Sequence, residues 1–294
     1  MAYQGYCEKG RTLNLSLVMV TVGRREEVGR MIRSLASQDT RAFELIVIDQ
    51  NADDRLEPEV SSGRAAGLDI RHERLLPPDQ GAARNRGIAL ARYEAIGFPD
   101  DDCWYESSVV SGILKKFFAD RCDGVVVRWH EEDPRGEPPH RLSEEKWRRF
   151  REVKASMIAQ FFTKNLLVRL SGFDPRLGLS KWYGGSEETE LVFRALRHGF
   201  DLQYCPDIVV HHPISDAVPS GDLWQACRHI RSRARGLGAV YAKHRLSPYV
   251  ICRGFLAPML KSLIPPKSVA AIVVGGSVSL GRIEGFLRWR FCER

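Results

Sequence analysis

Hydrophobic positions along the first two thirds of the chain follow two alternating patterns. Continuous apolar runs, which predict buried strands, occupy residues 13–21, 43–49, 93–98, 124–129 and 202–210, with a shorter run at 69–72. Apolar residues that recur every three or four positions, the spacing of a helix with one buried face, occupy residues 25–37, 81–92, 110–118 and 184–196. Strands that alternate with helices are typical of a doubly wound, mainly parallel sheet, so we predict a Rossmann-like α/β fold.

The pattern changes near residue 213. We predict one α/β domain over residues 1–213 and a mostly helical C-terminal extension over residues 214–294. Within the first domain, residues 131–139 combine proline, glycine and charge, which predicts a surface loop.

The extension differs from the rest of the chain in its charge. The net charge is +7, but residues 217–294 carry 13 Lys or Arg against 3 Asp or Glu, whereas the first 216 residues carry 31 against 34. A basic, partly apolar tail favours contact with an anionic membrane surface. The alternative is that residues 249–280 complete the core or form a dimer interface.

The most apolar part of the extension is SVAAIVVGGSVSL, residues 268–280. This run is shorter than the ~20 residues that a spanning helix needs, and it contains two glycines. We therefore expect it to lie on a bilayer rather than to cross it, as a peripheral element.

Several other classes are disfavoured by composition. The seven cysteines form no CxxC pair and are odd in number, which argues against a zinc ribbon or a disulfide framework and favours a reducing compartment. The N-terminal residues lack the apolar core of a signal peptide, so we expect a cytoplasmic protein, peripheral on the inner face of the membrane. No zinc-finger or RNP signature appears, so no nucleic-acid partner is expected.

Acidic side chains follow two of the predicted strands. Asp49 ends the run at 43–49, and Asp100, Asp101 and Asp102 follow the run at 93–98. The carboxyl ends of parallel strands meet at one edge of a sheet, where ligands bind. Carboxylates spaced like Asp100 and Asp102 suit Mg²⁺ or Mn²⁺ held together with a diphosphate. The alternative is an acidic turn that caps the next helix.

Two further segments allow a catalytic or a structural interpretation. In GGSEETE, Ser186 is a candidate N-cap with Glu187 and Glu188 in the first turn, yet a glutamate at a helix start also suits a general base. Trp182, just before, could stack on a sugar or simply pack. His212 could bind a metal or a phosphate, or cap the strand before it.

Taken in chain order, these motifs resemble the inverting glycosyltransferases of family 2, which have the GT-A fold. The segments that carry the resemblance are LSLVMVTVGRREEVGRMIRSL, FELIVIDQNADD, GAARNRG, AIGFPDDDCW, GFDPRLG, GGSEETELVFRALRHGF and VVHHP. The resemblance covers about residues 13–213. It implies transfer of a sugar from a UDP-, GDP- or dTDP-linked donor to a glycan or lipid-linked acceptor, with Mg²⁺ or Mn²⁺, in cell-surface polysaccharide or glycan synthesis.

The resemblance also implies roles for individual residues. Thr21 and Asp49 would contact the base and ribose, Arg84 would lie near the donor, and Asp101 would contact the nucleotide sugar. For the metal, the resemblance implies Asp100 and Asp102 as a DxD motif, with Asp102 nearest the metal, and His212 beside the metal and diphosphate. For the chemistry, it implies Glu188 as the base, with Glu187 and Glu190 left open.

The chain departs from the family pattern at three places. The first strand ends in TVGRR instead of a Thr-Tyr-Asn-Arg-like turn, Asp49 is followed by Gln50 and Asn51 instead of a second acid and glycine, and Glu188 stands where Asp is common.

A nucleotidyltransferase on a similar fold is an alternative, although that class would need a glycine-rich loop after the first strand, where VTVGRREE has one glycine. A phosphatase is disfavoured because neither acid lies in a DxDx(T/V) motif. A non-catalytic basic membrane-binding module would explain the extension but not the acids.

Overall fold

The computed structural model describes residues 7–8, 11–129, 137–153, 156–213, 222–264 and 268–293. Most of the loop predicted at 131–139 lies outside these residues. The strands are β1 Cys7–Glu8, β2 Arg11–Thr12, β3 Leu15–Thr21, β4 Phe43–Asp49, β5 Ile70–Arg74, β6 Ala95–Gly97, β7 Trp104–Tyr105, β8 Gly124–Trp129, β9 His140–Arg141, β10 Gln160–Thr163 and β11 Leu202–His211. The helices are α1 Glu26–Ala36, α2 Glu57–Ala65, α3 Gln80–Leu90, α4 Val109–Asp120, α5 Glu144–Arg148, α6 Lys164–Arg169, α7 Glu187–Arg197, α8 Leu223–Lys243, α9 Pro248–Leu263 and α10 Val269–Cys292, with a 3-10 turn at Met157–Ala159.

The chain forms two compact units. The first comprises Met1–Phe173 and Arg194–Ile214, and the second comprises Asp174–Phe193 and Ser215–Arg294. Residues 174–193, which the predicted division at 213/214 assigned to the first domain, thus group with the C-terminal helices.

A nine-stranded sheet forms the centre of the first unit. Its order is β5-β4-β3-β6-β10-β8-β11-β7, with β9 paired to β11. The parallel pairs are β3 with β4 and β6, β4 with β5, and β8 with β11. Six strands therefore run in one direction, and the predicted mixed α/β fold with a mostly parallel sheet is confirmed.

The neighbouring strands β3 and β4 are buried on both faces. All seven residues of β4 are buried, as are all but one of β3, which matches their continuous apolar runs. Glu44, the acid near the start of β4, accepts hydrogen bonds from Ser16 at 2.7 Å and from Arg92 at 2.8 Å, which satisfies a carboxylate that burial would otherwise destabilise.

Strand β10 runs against the parallel direction and was not predicted. It pairs antiparallel with β6 on one side and with β8 on the other. Its residues Phe161 and Phe162 are fully buried, so the strand fills the middle of the sheet. A short apolar run between helices carries no information on strand direction, because that direction is set by the connections.

Three long helices form most of the second unit. The apolar run at 268–280 begins at the N-cap of α10 and continues into a helix of 24 residues, longer than the 13 residues expected from the run. That it lies on a bilayer rather than crossing it stays a prediction. Among the described residues, α10 is the one helix that is long and apolar enough to span a bilayer. A single helix that meets this test by length and composition is weak evidence of a membrane span. Its Glu284 is paired with Arg231 and Arg235 of α8, so this face of α10 lies against another helix.

Candidate active site

The carboxyl ends of three strands meet in the first unit and carry the predicted donor-binding residues. Thr21 and Asp49 are directly opposite each other at the ends of β3 and β4. Beyond β6, Asp100 forms a parallel bridge with Val20. The topology thus places Asp100, the first residue of the triple acid, beside the end of β3, as the parallel-sheet argument predicted.

Two arginines of the first unit neutralise part of the triple acid. Arg24, in the turn after β3, forms ion pairs with Asp101 and, at 2.7 Å, with Asp102. Arg84 of α3 lies 3.5 Å from Asp100 and is itself almost fully buried. Three adjacent carboxylates are tolerated here because cationic side chains approach them from two different elements.

The strand pair β7 and β11 brings His212 to the same acids. His211 pairs with Trp104 across the two strands, and their rings stack with centroids 5.4 Å apart. The next residue, His212, places Nε2 3.1 Å from Oδ1 of Asp102. Trp104 therefore has a structural role, because its pairing with His211 positions the next residue, His212, at the acidic cluster.

Protonation in the cluster is controlled by burial and by the neighbouring cations. Burial raises the pKa of Asp100, partly offset by Arg84, although 36% of its side chain stays exposed. Burial would also raise the pKa of Asp102, but His212 and Arg24 outweigh it and the pKa is lowered. The hydrogen bond to Asp102 raises the pKa of His212. Asp102 is therefore held as a carboxylate.

The donor atoms of Asp100, Asp102 and His212 suit a divalent ion. One ligand atom from each of the three residues lies within 4.8 Å of the other two. Two carboxylates with one imidazole suit Mn²⁺, and two carboxylates with water or phosphate oxygens suit Mg²⁺. The residues present thus fit the metal that the sequence predicted.

Asp49 is fully buried and engaged on both carboxylate oxygens. Oδ2 lies 3.0 Å from Nε2 of His72, and Oδ1 accepts hydrogen bonds from the backbone and side-chain nitrogens of Asn51 at 2.8 and 2.7 Å. Asn51 in turn accepts a bond from the backbone N–H of Gly23 at 2.7 Å. The unusual Gln-Asn pair after Asp49 therefore ties β4 to the turn that carries Arg24.

The three glutamates of GGSEETE have different environments in the second unit. Glu190 is fully buried and paired with Lys243 at 2.6 Å and His244 at 3.3 Å. Glu187 is buried, whereas Glu188 is partly exposed. Ser186 precedes the helix with a φ of 70° instead of the extended backbone of a typical N-cap, and its carbonyl accepts the amide of Glu190. Of the three, Glu188 is the carboxylate that solvent reaches.

Trp182, the predicted sugar-stacking residue, also lies in the second unit. The guanidinium carbons of Arg235 and Arg288 lie 4.4 and 4.3 Å from its ring centroid, and the ring of Tyr183 packs against its edge. Stacking of a sugar on this indole would require one of the two arginines to move. The observed contacts suit the other interpretation, in which Trp182 is a partly exposed packing residue.

The family model described as Glycosyl transferase family 2 matches residues 16–173, more than half of the chain. The chain belongs to glycosyl transferase family 2. It is a glycosyltransferase, and the expected family is confirmed, whereas the nucleotidyltransferase and the non-catalytic module lose their support. No curated protein matches the chain.

Solved structures of glycosyltransferases have a similar fold. TarS from S. aureus is 13% identical with a TM-score of 0.60, and the match covers 90% of this chain and 55% of TarS, so the chain spans about half of that protein. TarS 1–349 in complex with UDP-GlcNAc is 13% identical, with a TM-score of 0.58 and coverage of 91% and 90%. The mannosyltransferase PcManGT from Pyrobaculum calidifontis, in complex with GDP-Man and Mn²⁺, is 14% identical, with a TM-score of 0.66 and coverage of 96% and 88%.

Sequence reasoning missed two cationic residues at the acidic cluster. Arg24 was visible only as part of TVGRR, and Arg30 of α1 donates to the backbone carbonyl of Asp102 at 2.6 Å while lying over the Trp104 ring. The available signal was charge balance, because three adjacent acids after a buried strand require nearby cations.

Proposed function

We propose that this glycosyltransferase moves a sugar from a nucleotide-diphospho-sugar to an acceptor hydroxyl with inversion, using a divalent metal. The observation that carries the proposal is the cluster of Asp100, Asp102 and His212 at the carboxyl edge of the sheet. A bound Mg²⁺ or Mn²⁺ would act as a Lewis acid toward a diphosphate leaving group. Asp102 is suited to hold it because its pKa is lowered and it stays ionised.

The chain's own residues would perform the remaining tasks. Arg24 and Arg84 add positive charge near the acids, where the phosphates of a donor would lie. Thr21 and Asp49 line the adjacent strand ends, the proposed place of the nucleoside.

Glu188 is the proposed general base. Glu190 is committed to Lys243 and His244, and Glu187 is buried, so Glu188 is best placed to take a proton from an acceptor hydroxyl. Proton removal lets the hydroxyl attack the anomeric carbon from the face opposite the diphosphate, and the configuration inverts. A positioned base contributes roughly 10²–10⁴-fold to the rate.

The test uses UDP-GlcNAc and GDP-mannose as probes with Mn²⁺ and water or a panel of sugars as acceptors. Release of UDP or GDP gives the rate, and NMR gives the anomer formed first. For these α-linked donors we expect the β anomer, and Glu188→Gln should lower the rate by about 10²-fold or more without weakening donor binding. A retained rate in Glu188→Gln, or an α product, would contradict the proposal. Glu145→Gln, an exposed acid on α5, is the matched control.

For localisation, we propose peripheral docking on an anionic bilayer through α9. Exposed apolar residues recur along one face of this helix, namely Tyr249, Leu256, Met259, Leu260 and Leu263. Lys261 is exposed on the same helix, and the described residues from 222 to 293 are strongly basic. An apolar stripe beside cations suits insertion at the headgroup level. A lipid-linked acceptor in glycan or polysaccharide synthesis would be met there.

A further inference from the structure

The segment that carries the proposed base, residues 174–190, packs against helix α8. Three separate stretches of α8 contact residues 174–190, and all of them lie within the second unit. They involve a backbone hydrogen bond, a close approach at a glycine and a buried ion-pair network. Each acts on a different part of the segment.

The first two contacts fix the loop before the helix. The backbone N–H of Gly184 donates to the carbonyl of Ser232 at 3.1 Å. One turn further along α8, a methyl group at position 236 would overlap the carbonyl group of Gly185, so only glycine permits this approach. The loop that leads into Glu187 and Glu188 therefore rests directly on the α8 backbone.

The third contact fixes the first turn of α7. Lys243, the last residue of α8, bridges Glu190 and Asp174, with its Nζ 2.6 Å from a carboxylate oxygen of each. His244 adds a contact of 3.3 Å to Glu190 and stacks on Phe193 with ring centroids 4.6 Å apart. Glu190 is fully buried, and the ammonium group of Lys243 compensates the cost of burying its carboxylate.

The spacing of these contacts explains how one helix holds the whole segment. Ser232 and Lys243 are eleven residues apart, which is roughly 16 Å along a helix. Gly184 and Glu190, their partners, lie on either side of Glu188. A side chain bracketed in this way has little freedom to shift relative to α8.

From these contacts we infer that α8 is the positioning element for Glu188, with Gly236, Lys243 and His244 as positioning residues. The inference rests on the proposed function, because it assigns a task to the base proposed there. It gives the C-terminal extension a part in turnover that is separate from any contact with a membrane. None of the three residues needs to touch donor or acceptor, since they act through the position of Glu188. A displacement of about 1 Å in a catalytic group can cost about 10²-fold in rate.

The test begins with hydrogen exchange, which needs no ligand. In Lys243→Met, we expect amides 190–193, which bond to the carbonyls of residues 186–189, to exchange at least tenfold faster, while the amides of β3 and β4 keep their rates. Lys243→Arg should restore most of the protection because it retains the charge. Lys261→Met, an exposed lysine of α9, is the matched control and should change neither region. Unchanged exchange at 190–193 in folded Lys243→Met would overturn the inference.

The second measurement is turnover, read as UDP or GDP release from UDP-GlcNAc or GDP-mannose with Mn²⁺. We expect kcat to fall 10- to 100-fold in Lys243→Met, with the donor dissociation constant within twofold of the parent. In a Glu188→Gln background the same change should cost less than twofold, because residues that act through one group are not additive. A full additional loss in that background would overturn the inference.

A milder variant keeps the test open if Lys243→Met does not fold. His244→Gln removes one contact of Glu190 and leaves Lys243 in place, and we expect a three- to tenfold loss in kcat with normal donor binding. No loss in this folded variant would count against α8 as the positioning element. If Glu188→Gln itself retained full turnover, the proposed base would be wrong, while the exchange data would still report on the link between α8 and residues 187–190.

Discussion

Removal of Arg24 should strengthen the binding of a bare metal ion. Arg24 pairs with Asp101 and Asp102, and Asp102 is also a member of the proposed metal-binding cluster. A guanidinium and a divalent ion that act on the same carboxylate repel each other. Arg24→Met keeps the length of the side chain and deletes its charge.

The size of the effect follows from Coulomb's law. For a separation of roughly 6 Å in a dielectric of about 80, a single and a double positive charge repel by about 1.4 kcal/mol, or about tenfold in Kd. A lower effective dielectric would enlarge this value, and salt would reduce it. Because 42% of the Arg24 side chain is exposed, the high-dielectric figure is the appropriate one.

The assay is calorimetric titration with Mn²⁺ alone at low ionic strength. We expect Arg24→Met to bind Mn²⁺ about tenfold more tightly than the parent, and the difference to shrink as NaCl is added. Arg25→Met is the control, since Arg25 is paired with Glu59, 3.2 Å away, and contributes to a different surface. Unchanged or weaker Mn²⁺ binding in Arg24→Met would refute the proposed competition for Asp102.

Two further predictions concern the second unit. The double variant Leu256→Ser, Leu260→Ser should lose flotation with vesicles containing anionic lipid, whereas Val168→Ser, at an exposed apolar residue of α6, should keep it. Equal flotation of the parent and both variants, or loss of a dimer in the double variant instead, would contradict membrane docking. Burial opposes ionisation of Asp174, but Arg176 and Lys243 hold its pKa well below the usual range, so its stabilising contribution is present above about pH 4 and is lost as pH falls. Thermal unfolding between about pH 5 and pH 2 should therefore depend less on pH in Asp174→Asn, and identical slopes would contradict this.

The sequence was most informative where burial and chain direction determine the structure. The apolar runs of β3 and β4 predicted two buried neighbouring strands, and the rule for parallel sheets predicted that the acids at the ends of β4 and β6 would lie at one edge. Residues 100 and 212 are far apart in the chain, and their proximity was expected only from the family resemblance. The structure supplies the physical cause, the pairing of Trp104 with His211.

Features that depend on side-chain reach or helix packing could not be predicted. The position of Arg24 depends on a turn that Asn51 holds, which sequence spacing does not reveal. Its length and its two glycines made the run at 268–280 look like a short element. In the structure the helix continues beyond it, where Gly281 approaches the α8 backbone and Glu284 pairs with the arginines of α8. Partners distant in sequence thus decide these local features.

We propose that Asp100 and Asp102 hold a divalent ion on which binding of the sugar nucleotide depends. The most direct measurement is calorimetric titration of the Asp100→Asn, Asp102→Asn double variant with Mn²⁺, and then with UDP-GlcNAc and GDP-mannose in its presence, beside Asp120→Asn as an exposed control on α4. We expect the folded double variant to lose both the Mn²⁺ signal and any metal-dependent binding of the donor, and the control to keep them. Uptake of metal and sugar nucleotide equal to that of the parent would contradict the proposal.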